Sequence, residues 1–175
     1  LAAENCSEGM LWRVGDALNS AIGQGDTTAS VLQIATAYAA IANGGTLYRP
    51  QVGRALLAAD GSVHSRMAPE VTGKLGVPKG DLAFLRKALR GVIEEGSARE
   101  PFTGFPLDQV ALAGKTGTGE VHGAQVTSWF ASFAPADNPR YAVVMMVSQG
   151  GTGGGTSGPS VRRIYEALFG VRNGA

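Results

Sequence analysis

The run ALAGKTGTGEV, Ala111 to Val121, sets a lysine and two threonines around a glycine directly after a short apolar segment. Three readings compete for such a group: a loop that cradles phosphates, a strand whose Lys115 ammonium and Thr116 and Thr118 hydroxyls hold a carboxylate, or a plain tight turn. Spacing removes the first. A phosphate loop needs a glycine five residues before the one preceding its lysine, and Gln109 stands there; it also needs a helix after Lys-Thr, where the β-rich VTSWFASF follows. Gly153, Gly155 and Gly158 form a second decoy, G-x-G-x-x-G between a strand and a helix. A dinucleotide fold requires a further parallel strand with an acidic residue about 20 positions on, and the residues up to Ala175 leave no room for it.

On an extended strand Lys115 and Gly117 point to one face and Thr116 and Thr118 to the other, and glycine lets a substrate approach the backbone. An ammonium beside two hydroxyls holds a carboxylate, while an outward strand N–H donates to an oxyanion. That combination suits acyl chemistry on a substrate with a free carboxylate. Taken alone, the tetrapeptide is better explained as a turn.

The elements around it are legible from periodicity. IGQGD, Ile22 to Asp26, reads as a glycine turn, followed by a helix with Val31, Ile34, Ala35, Tyr38 and Ala42 on one face. Ser30 and Gln33 have capping-box spacing, and Gly44 supplies a left-handed stop. TLYRPQV reads as a short extended segment whose Pro50 argues for an edge. A second helix fits DLAFLRKALRGVIEEG, capped by Asp81, striped by Leu82, Leu85, Leu89 and Val92, and ended by Gly96. Three strands follow in DQVALAGKTGT, VTSWFASFAP and RYAVVMMVSQ, the last two joined by the turn PADNPR into an antiparallel hairpin. GGTGGGTSG reads as a flexible loop at the rim of a site, where glycine permits positive φ and close approach, or as a plain linker. PSVRRIYEALFG is a terminal helix with Pro159 in its first turn, Gly170 after its last, and Val161, Ile164, Tyr165 and Leu168 facing the sheet.

Composition excludes several classes. With 175 residues, 44% of them hydrophobic, the chain can bury a core and fits one domain. Lys plus Arg number 15 against 14 Asp plus Glu, so a net charge of +1 gives no field for nucleic acid. No apolar run approaches the roughly 18 to 20 residues of a membrane helix. The sequence opens on Leu1 without a methionine, which suggests part of a longer polypeptide with its targeting segments elsewhere. Cys6 is alone, and His64 and His122 stand outside any metal-ligand spacing, so neither a metal nor another cofactor is expected. Glu94 and Glu95 point about 100° apart on a helix and read as a solvated end; Glu120 and His122 either line the mouth of a cleft or belong to a surface loop. Ser97 sits in a turn, and Trp129 and Phe130 are core candidates.

Three ordered blocks then change the weight of K-T-G-T. SAIGQGDTTASVLQIATAYAAIANGGTLYRPQV, GKTGTGEV and SWFASFAPADNPRYAVVMMV with its terminal helix closely resemble the C-terminal half of the transpeptidase domain of penicillin-binding proteins, most of all the class B, monofunctional members. The resemblance runs from about Leu11 to Phe169. It implies an α+β fold, an antiparallel sheet covered by helices as in serine β-lactamases, here an incomplete domain over residues 1–175. It also implies peptidoglycan D,D-transpeptidation: a serine attacks the penultimate D-Ala carbonyl of a stem peptide, and an amine from a neighbouring strand resolves the acyl-enzyme. Lys115 would tune the serine's proton network, Thr116, Gly117 and Thr118 would bind substrate, and the Thr118 N–H would form half of the oxyanion hole.

Implied partners are the D-Ala-D-Ala stem peptide, β-lactams, the N-terminal half of the same protein and a cell-wall glycosyltransferase complex. The implied location is the extracytoplasmic face of a bacterial membrane, with the anchor outside this chain. One departure is large. No serine here begins S-x-x-K or S-x-N, the family's nucleophile and proton-shuttle motifs. No nucleophile is therefore expected in this chain, which alone would be inactive and would leave apolar sheet surface bare. The K-T-G strand is shared with D,D-carboxypeptidases and serine β-lactamases, and a non-catalytic sensor or scaffold of the same fold is an alternative of another class.

Overall fold

The computed structural model describes residues 11–25, 27–120 and 123–171. Cys6, Asp26 and His122 lie outside the described residues. The first helix, α1 (Val14–Ala21), has no buried residue. The backbone N–H of Arg13 donates to Asp16 Oδ2 at 2.8 Å, so an acidic first-turn side chain supplies the missing acceptor. The turn at 22–25 leads to α2 (Val31–Ala42), whose N-terminus carries the expected capping box. Gln33 N–H donates to Ser30 Oγ at 3.2 Å, and Ser30 N–H donates to Gln33 Oε1 at 2.8 Å.

After α2 come β1 (Thr46–Tyr48), β2 (Ala55–Leu57), β3 (Val63–Arg66) and β4 (Val71–Lys74). They pair antiparallel as β1 with β4 and β2 with β3, two small sheets in place of the single extended segment expected. Asp60-Gly61 between β2 and β3 is a hairpin turn signal that sequence reasoning passed over: Gly61 has φ 83°, and the Ser62 N–H donates to Asp60 Oδ1 at 2.9 Å. His64 lies exposed on β3, as a surface residue.

The long helix α3 (Lys79–Glu94) starts earlier than expected. Pro78 stands at its N-cap and Asp81 lies inside the first turn, because proline fixes its own φ in a helix-compatible value while leaving an acidic side chain free to face the positive end. Its buried residues are Leu82, Leu89 and Ile93; Leu85 is 37% exposed, so the core-facing stripe rotates by one position toward Ile93. Glu94 pairs with Arg90 at 2.7 Å on the solvated face.

A short 3-10 turn, Glu100–Phe102, precedes the main sheet of β5 (Ala113–Gly119), β6 (Thr127–Ala134) and β7 (Tyr141–Val147). All three pair antiparallel in the order β5-β6-β7, without a register break. The chain closes with a one-turn π-helical segment, Gly153–Ser157, running into α4 (Gly158–Phe169), which Gly170 caps at φ 65°. Between helices and sheet the fold is α+β, as expected.

Alternation along β6 divides the interior into two cores. Phe130 and Ala134 face Val161 and Tyr165 of α4, with Phe102, Phe105, Leu112 and Ile93 completing that cluster. Phe133 and Ala113 face the other way, against Ala42 of α2 and Leu89 of α3. Each fully buried aromatic contributes about 1.5–3 kcal/mol of transfer free energy. On α4, Val161 and Tyr165 are buried, whereas Ile164 and Leu168 are 39% and 41% exposed, so half of the expected stripe lies at the margin. Tyr165 and Ser132 hydroxyls meet at 2.9 Å in the core, and Ser132 also donates to the Val143 carbonyl at 3.0 Å. Burial pushes the Tyr165 phenol well above the ordinary tyrosine range, with the Ser132 bond opposing, so it stays neutral as a hydrogen-bonding group.

Among the described residues, bare apolar surface lies on α1 and the residues flanking it more than on the β5-β6-β7 sheet. Trp12, Val14, Leu18 and Ile22 are 70%, 80%, 67% and 76% exposed, whereas on the sheet Met146 is exposed at 40%.

Candidate active site

β5 is an edge strand: β6 pairs with one side of it, and among the described residues no strand pairs with the other. Register fixes its faces. Lys115 lies opposite Ala131 and Gly117 opposite Trp129, on the α2 and α3 side; Thr116 lies opposite Phe130 and Thr118 opposite Ser128, on the α4 side. The regular strand thus keeps the alternation expected of K-T-G-T.

Hydrogen bonds locate the edge. Lys115 Nζ curls round to donate to the Thr116 carbonyl at 2.8 Å and, at 3.4 Å, to Thr116 Oγ1. Gln24 Nε2 reaches across from the turn after α1 and donates to the Thr118 carbonyl at 3.3 Å. Both carbonyls therefore point away from β6. In an antiparallel strand a residue's N–H and C=O face the same side, so the Thr116 and Thr118 N–H groups also face the unpaired edge. Lys115 and Thr118 side chains are exposed and Thr116 half-buried, which leaves one ammonium, two hydroxyls and two outward amides reachable along about two residues of edge.

The supporting residues come from far along the sequence. Ser97, in the turn after α3, places its hydroxyl 2.8 Å from Thr116 Oγ1. On the same face the Gly153–Ser157 segment packs against the strand: Ser128 Oγ donates to the Thr152 carbonyl at 2.8 Å and lies 2.7 Å from Ser157 Oγ. Gly153 has no room for a side chain, since a Cβ there would meet the Trp129 carbonyl oxygen and sit 2.6 Å from the Gly117 carbonyl oxygen. The glycine-rich run is thus an ordered wedge under β5 and β6, a correction to its reading as a flexible loop. Glycines were used for close approach, which a linker reading cannot distinguish from freedom.

Trp129 is half-buried beside Gly117, and a Cβ on Gly117 would come 3.0 Å from Trp129 Cβ. The tryptophan therefore borders the lysine side of the strand, while Phe130 is wholly core. Glu120 is exposed just past β5. Gln24 and Ser97 were not legible as site residues; the glycine turn and the helix-end turn were read, but not the contacts they make across 94 and 19 residues. Among the described residues no group of His, Cys, Asp and Glu side chains could hold a metal ion.

β5 is thus an open-edged strand carrying K-T-G-T with helices packed on both faces. Residues 3–166 match the penicillin binding protein transpeptidase domain family, and the chain belongs to that family. It is 35% identical over 158 residues to the peptidoglycan D,D-transpeptidase MrdA of Acinetobacter baumannii, covering 82% of this chain and 23% of that protein. With the peptidoglycan D,D-transpeptidase PbpA of Mycolicibacterium smegmatis it shares 33% identity over 162 residues, 86% of this chain and 31% of that one. A structure of penicillin-binding protein A from M. tuberculosis as a ceftriaxone acyl-enzyme superposes with a TM-score of 0.76 at 30% identity, over 85% of this chain and 34% of that chain. The chain therefore spans about a quarter to a third of the length of these relatives.

Proposed function

We propose that the full-length protein carrying this chain is a peptidoglycan D,D-transpeptidase, and that residues 1–175 are the C-terminal part of its transpeptidase domain. The observation that carries this reading is β5: K-T-G-T on an unpaired sheet edge with the Thr116 and Thr118 backbone groups facing outward. A stem peptide ending in D-Ala-D-Ala adds along that edge by strand pairing. The Thr116 and Thr118 hydroxyls and the Lys115 ammonium receive its terminal carboxylate. A serine Oγ outside residues 1–175 attacks the penultimate carbonyl and passes its proton to a base. The Thr118 N–H donates to the carbonyl oxygen as it becomes an oxyanion, the amide C–N bond breaks, and the terminal D-Ala leaves as a protonated amine. An amine of a second stem peptide then attacks the serine ester and restores the hydroxyl. β-Lactams enter the same path and stop at the ester.

Lys115 contributes charge near the carboxylate and the nucleophile, and Gly117 lets substrate approach the strand. The protein works at the extracytoplasmic face of a bacterial membrane, held by a segment outside residues 1–175; no helix among the described residues is long and apolar enough to cross a membrane. A cell-wall glycosyltransferase complex is its functional partner. Incubation with a labelled penicillin, followed by peptide mapping, tests this reading. The full-length protein gains one covalent adduct on a serine outside residues 1–175, and the isolated chain gains none. An adduct within the chain, or none on the full-length protein, overturns the assignment.

A further inference from the structure

The two outward carbonyls of β5 are occupied very differently. Thr116 accepts from the Lys115 ammonium at 2.8 Å, a charge-assisted bond. Thr118 accepts from the neutral amide of Gln24 at 3.3 Å, beyond the usual 2.9–3.0 Å mode for N–H···O bonds. An incoming extended peptide needs such a carbonyl for one of its own N–H groups. The Thr116 position is held by a full charge, whereas the Thr118 position is held by a partner that a peptide amide matches in kind.

The turn that carries Gln24 suits a side chain that comes and goes. Its backbone is pinned to the end of α1, with the Gln24 N–H donating to the Asn19 carbonyl at 2.9 Å and the Gly23 N–H to the Ser20 carbonyl at 3.0 Å. Gly23 and Gly25 on either side have φ of 78° and 99°, a region open to glycine, so the sharp reversal that aims Gln24 at β5 depends on both. With the backbone fixed, releasing Thr118 requires only rotation about the side-chain bonds of Gln24, which is half-buried.

We propose that Gln24 is a gating residue of the substrate strand: its amide stands in for the substrate's amide N–H on the Thr118 carbonyl and is displaced when substrate binds. The inference rests on the transpeptidase reading above and deepens it. Gln24 occupies the Thr118 carbonyl when the site is empty, which blunts unwanted strand pairing at that point of the edge. It also sets a selection rule, because only a ligand that brings its own N–H to that carbonyl recovers the bond it breaks. A ligand without one leaves Gln24 in place and takes no benefit from its removal.

The test compares acylation rate constants of the full-length protein and its Gln24→Ala and Gln24→Asn variants with two probes. Penicillin G carries a side-chain amide N–H; imipenem carries a hydroxyethyl group and no amide there. Loss of the competing amide should accelerate penicillin G roughly twofold to tenfold, the span of one neutral hydrogen bond, in both variants, while imipenem keeps its rate. The imipenem rate doubles as the check on folding, since a damaged site is slow with both. A parallel fall with both probes in both variants makes Gln24 structural and overturns the proposal, as does an unchanged ratio between the probes. A wild-type protein that neither probe acylates overturns the transpeptidase reading itself, a different result from either.

Discussion

Lys115 sits at a point where charge, two hydroxyls and two outward amides converge, and its ammonium already bonds Thr116 twice. Replacing it by alanine removes the charge but leaves the strand, so acylation by penicillin should fall roughly a hundredfold or more, the range for losing a preorganised electrostatic group; a loss under tenfold would remove Lys115 from the reaction. Ser97 acts one step back. Its 2.8 Å contact orients the Thr116 hydroxyl, and Ser97→Ala should weaken apparent penicillin affinity about twofold to tenfold with the limiting acylation rate held, while Ser97→Thr restores it. Stopped-flow acylation separates the two terms. The strand and its alternating faces were legible from spacing, and it was the ordered blocks around K-T-G-T, not the tetrapeptide itself, that pointed to a site; Ser97 reaches Thr116 through a tertiary contact that no periodicity announces.

At the level of elements, β5 is regular in register, unpaired on one side among the described residues, and gripped on both faces. The grip below comes from the glycine wedge. Gly153→Ala would push a methyl group onto the Trp129 carbonyl and the Gly117 backbone, costing about 1–3 kcal/mol by overpacking, and calorimetry on the full-length protein should find the transpeptidase unfolding transition lowered. An unchanged transition would mean that the segment can lift away. Behind it, Arg162 of α4 ties the 3-10 turn down, donating from Nη1 to the Pro101 and Thr103 carbonyls at 3.1 and 2.7 Å, while its Nε pairs with Glu166 at 2.8 Å. Periodicity made α2, α3, α4 and the β6–β7 hairpin legible, since each has a face to bury. It read β1 within TLYRPQV but missed β2 to β4, whose residues are mostly exposed and lack a hydrophobic alternation to read. For the glycine run it allowed both freedom and close approach without choosing, because composition records the absence of side chains, not what fills the space.

At the scale of the whole chain, two cores among the described residues share one helix, with Leu89 of α3 in one and Ile93 in the other. The chain also has α1, which buries no residue and leaves Val14 and Leu18 largely exposed. If the rest of the transpeptidase domain covers that helix, residues 1–175 alone should bind an apolar dye and self-associate, and co-expression with the preceding segment should abolish both and restore penicillin labelling in the complex. Dye binding that persists in the labelled complex would place α1 at some other interface. The central clamp carries a further consequence, for inheritance rather than mechanism. Trp129 borders both Gly117 and Gly153: a side chain at Gly153 would run into the backbone of Trp129 and Gly117, whereas one at Gly117 would press on the Trp129 Cβ at 3.0 Å and ask it to give by a few tenths of an ångström. Single-step change is therefore expected to avoid the Gly153 clamp and to fall on the peripheral side chains that lean on the strand, Gln24 and Ser97.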